Sequence, residues 1–216
     1  MCFNISVNLN KSNIEYEFDA GFETNSEFEF SSHVSAFTNP FIPVVTSENI
    51  RKIELCRWGL VPKWVKNSIQ ANNIRQYTYN AKSETVFDKP SFRDSIVDKK
   101  CLIIIDGFYE WQSTRSGKVC HLITHSSSKI FTLAGIWSDW TDKITGEVLR
   151  SVSILTQPAN QFMSRIHNTK HRQPVLINKE DRMGWINSRE KINNILNRSL
   201  LNKLQSQIVL SPLKNN

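Results

Sequence analysis

Between Ile50 and Trp58 apolar and polar residues alternate, with Ile53 and Leu55 on one side, which is the period of a half-buried β-strand. Cys101–Ile105 is an unbroken apolar run of strand length, punctuated at once by Asp106-Gly107 and followed by Phe108-Tyr109-Glu110-Trp111. His121–Thr124, Ile130–Trp137 and Ser151–Thr156 have the same strand character between clusters of Gly, Ser and Asp, and Thr141–Gly146 supplies a turn between two of them. Helical spacing is rarer. Ser91-Phe92-Arg93-Asp94 has the form of a capping box opening a short helix, with Phe92 and Ile96 on one face. Pro158–Ile166 begins with Pro and sets Phe162 and Ile166 four apart. Arg182–Ile186 and Glu190–Leu204 predict a helical C-terminal region over about 179–205, with Ile192, Ile195 and Leu196 as its inward stripe. The set predicts an α+β fold: a mostly antiparallel, barrel-like β core with peripheral helices. No βα alternation supports a parallel, doubly wound sheet.

With 216 residues, no internal repeat and no low-complexity linker, the chain fits one domain spanning 1–216. Its 39% hydrophobic and 22% charged content marks a globular rather than a disordered chain. No apolar run reaches the length of a membrane span, and the N-terminus lacks a basic region followed by an apolar stretch. The expected location is therefore cytoplasmic, nucleoid-associated when on DNA, with no membrane partner. The 27 Lys and Arg against 20 Asp and Glu give a net charge of +7, which suits a polyanionic partner or plain solubility. The cysteines are Cys2, Cys56, Cys101 and Cys120. None forms a C-x-x-C pair, so no metal site, dithiol motif or cofactor is expected. Cys56, Cys101 and Cys120 sit in apolar runs and read as small buried hydrophobes.

Cys2 differs because of its position. Removal of Met1 leaves an α-amine two carbons from the thiol, a 1,2-aminothiol that no internal cysteine offers. Such a pair is selective for aldehydes: the amine condenses to an imine and the thiol closes a five-membered thiazolidine. A basic groove is expected to favour the neutral amine and to help ionise the thiol. Glu110, between large aromatics after a core strand, reads as a partly desolvated carboxyl fit for a general acid, or as a carboxylate on an exposed face. His167 follows a helix, where the dipole favours imidazolium, and reads as a proton shuttle or as a cap. Asn80 is a candidate to orient an aldehyde or hydroxyl oxygen, or a turn residue. Lys82, Arg93 and Arg172 are candidate phosphate contacts or solvated charges. Trp58 and Trp64 flank Gly-x-x-Pro and are candidate stacking platforms or core residues.

Taken in order, these segments resemble the SOS-response-associated peptidase family of abasic-site processing proteins. The resemblance rests on Met1-Cys2, Trp58 to Trp64, Asn80 to Thr85, Gly107 to Trp111, and Ile166-His167 leading to Arg172-Gln173-Pro174. It implies the family's α+β barrel-like fold and binding of single-stranded DNA carrying an abasic site; the chain is expected to act as a monomer. Cys2 would form the imine and then the thiazolidine. Asn80 would hold the reacting centre, Glu110 would serve as acid, and His167 would serve as acid and base. Lys82, Arg172 and Arg93 would hold phosphates, and Trp64 would stack beside the lesion. The chain departs from the family pattern at Phe3-Asn4, where Gly-Arg is usual, at Lys82, where Arg is usual, and at Gln173. The word peptidase brings a competing expectation, a thiol peptidase using Cys2 with His167, in its narrowest form one that removes only Met1. A single-strand binding module without a covalent step is a third.

Overall fold

A computed structural model describes residues 2–23, 28–187, 191–201 and 203–214. The elements in chain order are β1 (Asn4–Val7), α1 (Lys11–Phe18), β2 (Gly21–Phe22), β3 (Ser31–Ser35), β4 (Phe41–Thr46), β5 (Lys52–Trp58), α2 (Ser68–Thr78), β6 (Asn80–Lys82), α3 (Ser95–Asp98) and β7 (Lys100–Ile105). There follow β8 (Gly107–Thr114), β9 (Gly117–His125), β10 (Phe131–Thr141), β11 (Val148–Pro158), α4 (Gln161–Ile166), β12 (Arg172–Pro174), β13 (Leu176–Ile177), α5 (Arg182–Ile186), α6 (Ile192–Ser199) and β14 (Leu204–Val209).

Five strands close on themselves. β11, β10, β7, β4 and β5 are neighbours in that order through antiparallel ladders, and β5 pairs in parallel with β11 through Ser151↔Arg57 and Val152↔Trp58. Closure removes the free edges of this sheet and leaves a filled interior. β7 lies in the middle of the barrel wall, and all six of its residues are buried, Lys100 together with the apolar run Cys101–Ile105. Its neighbour β10 approaches closely at Gly135, where a Cβ would come within 2.7 Å of the Cys101 sulfur. A second, antiparallel sheet in the order β14-β9-β8-β1-β3 leans on the barrel. The fold is the expected α+β, mostly antiparallel and barrel-like.

Several boundaries differ from the sequence reading. The Ser91–Asp94 segment is a run of turns, and α3 begins only at Ser95, although Phe92 and Ile96 are both buried as expected. Pro158 closes β11 rather than opening a helix; α4 starts at Gln161, where the Asn160 side chain accepts from the Met163 N–H. The expected helix Glu190–Leu204 is α6, ending at Ser199, and its first residue lies outside the described residues. Leu204 instead begins strand β14, which pairs with β9 from Leu204↔His125 to Val209↔Cys120 and satisfies that strand's edge. Cys2, Cys56, Cys101 and Cys120 are free thiols and buried. Among the described residues no group of His, Cys, Asp and Glu has the arrangement of a metal site, and no helix is long and apolar enough to cross a membrane.

Candidate active site

The second sheet delivers the N-terminus to the site. β1 is held between β8, through Ile5↔Phe108 and Ser6↔Gly107, and β3, through Asn4↔Ser35 and Ile5↔Val34. The Ala36 N–H donates to the Phe3 carbonyl at 2.8 Å, extending this clamp one residue further. On its other side Gly107 packs closely against β9, where a Cβ would stand 2.9 Å from a Leu122 methyl. Cys2 therefore emerges antiparallel to β8 alongside its Glu110–Trp111 segment, wholly buried. Beside it opens a cleft of about 320 Å³ whose lining includes Phe3, Asn4, Glu110, Trp111, His167 and Lys170. Sequence reasoning passed over Lys170, and it noted Phe3 and Asn4 only as a departure that removes a basic contact. The Asn4 amide oxygen in fact accepts from His33 Nε2 at 2.9 Å, which anchors the segment behind the thiol.

Glu110 is only 4% exposed. Burial pushes its pKa up from 4.5 to about 7, against the stabilising backbone N–H of Trp111. The carboxyl is therefore shared between acid and carboxylate at neutral pH, as an acid-base group requires. His167 caps α4, its N–H donating to the Met163 carbonyl at 2.7 Å. Its Nδ1 lies 2.8 Å from the Arg172 carbonyl oxygen, which can only accept, so Nδ1 carries the proton and Nε2 presents a lone pair. That Nε2 stands 4.0 Å from Glu110 Oε2. Burial lowers the His167 pKa, and the bond to Arg172 offsets this only in part. The helix dipole was expected to favour imidazolium; desolvation wins, and the ring is neutral.

The thiol also departs from expectation. Burial, and next the Glu110 carboxylate, push the Cys2 pKa well up, while a hydrogen bond from the Asn4 backbone pulls the other way. A groove that ionises the thiol is not what the residues build. The sulfur is protonated and needs a base at the moment it reacts. Cys120, whose strand position lies opposite Trp111, is pushed up to about 11 by burial and by Glu110.

The other candidates divide. Asn80 begins β6, opposite Ile154 of β11, and its buried side-chain amide hydrogen-bonds to no described protein group. Its neighbour Tyr79 sets a ring edge against Phe3, centroids 6.3 Å apart, which brings the start of β6 to the N-terminal segment. Arg172 is not a free cation: its guanidinium forks onto the Glu84 carboxylate and also donates to Thr156 Oγ1 at 3.0 Å. It fastens the Asn80–Glu84 segment to β11 and β12 while its carbonyl fixes the His167 tautomer. Trp58 is fully buried, with Nε1 donating to the Tyr79 carbonyl at 2.9 Å, and is a core residue rather than a platform. Trp64 is 51% exposed and pinned by Nε1 to the Pro90 carbonyl at 3.1 Å. Lys82 and Arg93 are exposed, Arg93 lying 3.7 Å from Asp94.

The perturbed carboxyl has a consequence for stability. A pKa raised from 4.5 to about 7 contributes stability that is complete below the ordinary carboxylate range and is lost as pH rises through about 7. The loss amounts to about 3 kcal/mol at pH 8 and above. Glu110→Gln, which cannot ionise, is expected to leave stability at pH 5 nearly unchanged and to raise it at pH 8. Urea unfolding at the two pH values measures this; equal effects at both would contradict the raised value.

Comparison with known proteins places this geometry in context. A family model described as SOS response associated peptidase (SRAP) matches residues 1–216. The chain is 31% identical over 181 residues to the abasic site processing protein YoaM of Bacillus subtilis (strain 168), covering 83% of this chain and 76% of the relative. It is 31% identical over 144 residues to the abasic site processing protein HMCES of Gallus gallus, covering 58% of this chain and 42% of that one. A crystal structure of a protein from Bacteroides thetaiotaomicron superposes with a TM-score of 0.90 at 32% identity, covering 100% of this chain and 95% of the other.

Proposed function

The chain belongs to the SOS response associated peptidase (SRAP) family, and from that membership we propose that it captures abasic sites in single-stranded DNA by a covalent bond to Cys2. The observation that carries the proposal is the convergence, at one cleft, of the N-terminal strand with a buried carboxyl near pKa 7 and a neutral histidine 4.0 Å from it. The names of the relatives add the substrate class: they are abasic site processing proteins.

The steps follow from the groups available. Cleavage of the Met1–Cys2 bond exposes the α-amine; the peptidase in the family's name fits this single cut. The abasic sugar is mostly a closed hemiacetal. Glu110 gives its proton to the ring oxygen while the C1 hydroxyl proton passes to a base, for which the His167 Nε2 lone pair is suited, and the aldehyde is released. The neutral Cys2 amine attacks C1, and the resulting carbinolamine loses water with protonation of its hydroxyl, leaving an imine. The protonated thiol then transfers its proton, through the same acid-base pair, to the imine nitrogen as sulfur bonds to C1. The product is a thiazolidine, and one water has left in total. Asn80 is suited to hold the oxygen or the amine in place through its buried amide. The positive net charge, exposed Lys82 and Arg93, and the half-exposed Trp64 suit a strand with phosphates and open bases.

A denaturing gel tests the reading. The protein mixed with a single strand bearing one abasic site is expected to give a heat-stable shifted band, and the same strand without the lesion none. Raising salt before mixing is expected to slow the reaction by weakening phosphate contacts, and raising it afterwards to leave the band intact. Equal shifts with both strands, or loss of the band in salt after reaction, would mean a non-covalent single-strand binder.

A further inference from the structure

Phe37 sits on the turn Ala36–Thr38 between β3 and β4 with 62% of its surface open to solvent. A single exposed phenylalanine is ordinary; this one is mounted. Beneath it lies Phe3, ring centroids 5.1 Å apart and planes 32° off parallel. Tyr79 abuts Phe37 edge-on at 5.8 Å, and Trp58 backs Tyr79 at 6.4 Å. The turn itself is braced. Asn39 holds a left-handed φ of 50°, its N–H donates to the Ala36 carbonyl at 2.9 Å, and its side-chain oxygen accepts from the Tyr79 hydroxyl at 2.9 Å. Its own carbonyl accepts from Arg57 Nη1 at 2.7 Å, and that guanidinium lies 3.9 Å over the half-exposed Phe41 ring. The Ala36 N–H holds the Phe3 carbonyl, and Phe3 both follows Cys2 and lines the cleft. An aromatic face is thus fixed toward solvent one residue layer from the reacting cysteine.

We propose that Phe37, supported by Phe3, is the stacking platform for the nucleobase next to the abasic nucleotide. The inference rests on the reading of the cleft as an abasic-site trap. A strand that has lost one base leaves the neighbouring base with an uncovered π-face, and an exposed ring beside the sugar's position covers it. Stacking on an aromatic side chain tolerates any base and suits purines best through their larger area. Phe3 is the ring that supports Phe37 from below. The Arg57 charge nearby favours the polyanion over an apolar peptide as the occupant.

The test combines Phe37→Ala and Phe37→Trp with single strands carrying a purine, a pyrimidine or a base-less spacer beside the lesion on either side. Binding is read by fluorescence anisotropy and adduct formation by single-turnover kinetics. With a purine neighbour, Phe37→Ala is expected to weaken binding roughly tenfold and to leave the rate at saturating strand unchanged. Phe37→Trp is expected to bind at least as tightly as the parent. With the spacer on the stacked side, parent and Phe37→Ala are expected to bind alike. Binding by Phe37→Ala that equals the parent with every strand, or that falls as much with the spacers as with purines, would overturn the proposal. An adduct that forms normally but ignores Phe37 defeats only this inference; a parent that binds these strands without any adduct defeats the covalent reading, and the anisotropy comparison still decides the platform.

Discussion

Cys2→Ala is expected to abolish the heat-stable adduct, not to slow it. The alanine chain still presents an α-amine once Met1 is removed, so it can form an imine, but it has no sulfur to close the ring. An imine to a sugar carbonyl hydrolyses readily, and heating in denaturant returns free protein and strand. Because the Cys2 side chain is small and wholly buried, alanine leaves a small void, and the fold should persist; folding is checked by thermal unfolding of the same preparation. Cys2→Ser separates the two nucleophiles further, since its hydroxyl closes a less stable five-membered ring. A fused N-terminal tag should silence the parent chain equally, because the amine becomes an amide. A full-strength adduct from Cys2→Ala would remove the thiazolidine from the account and leave an internal lysine as the natural suspect.

The second large effect falls on Glu110. Its value to the reaction is a proton that is present at neutral pH, which burial ensures by raising the pKa to about 7. Glu110→Gln keeps the shape and loses the proton, so adduct formation is expected to slow by a factor on the order of 100 or more, the size of a typical general acid contribution. The sign of the pH dependence is fixed by which form works. Acid-assisted ring opening needs the protonated carboxyl, so the parent rate of that step should fall as pH rises above about 7. The Gln variant should lack that fall. His167→Ala should slow the reaction too, but its neutral ring is already the working form near pH 7, because burial holds the pKa down. Its contribution should therefore fade only toward acid pH. Rates for the two variants measured from pH 5.5 to 8.5 distinguish acid from base. A Glu110→Gln chain as fast as the parent at pH 6.5 would contradict the assignment.

How far the molecule could be read from residues alone depends on whether the signal was local. β7 was legible because both faces of that strand are buried and every position from Cys101 to Ile105 is apolar. α2 was not, because only Ala71 and Thr78 of its eleven residues are buried and Ile74 is half-buried against the core, too thin and too polar a stripe to stand out in the sequence. β14 was read into the preceding helix: Leu204 sits at a helical interval from Leu200, and only the open edge of β9 makes it a strand. Trp58 and Trp64 belong to one motif and meet opposite fates. Trp58 ends an inward-facing barrel strand, whereas Trp64 lies in the turns beyond it, free to expose half its surface. Arg172 was assigned to phosphate because its partner, Glu84, is 88 residues away and meets it only through the β6–β11–β12 arrangement. Glu110 and His167 were legible as residues through the order of the family motifs. Their 4.0 Å separation, and the reversal of the expected His167 and Cys2 protonation, are products of burial that no local pattern contains.

The central claim is that nitrogen and sulfur of one terminal residue both bond to the same sugar carbon. Intact-mass spectrometry of the protein after incubation with an abasic oligonucleotide tests it most directly, followed by nuclease trimming and peptide mapping. The account predicts a species equal to the chain without Met1 plus the oligonucleotide minus one water, with the added mass confined to Cys2. An adduct that retains Met1, one that maps to a lysine, or no adduct on a strand that the protein demonstrably binds would contradict it.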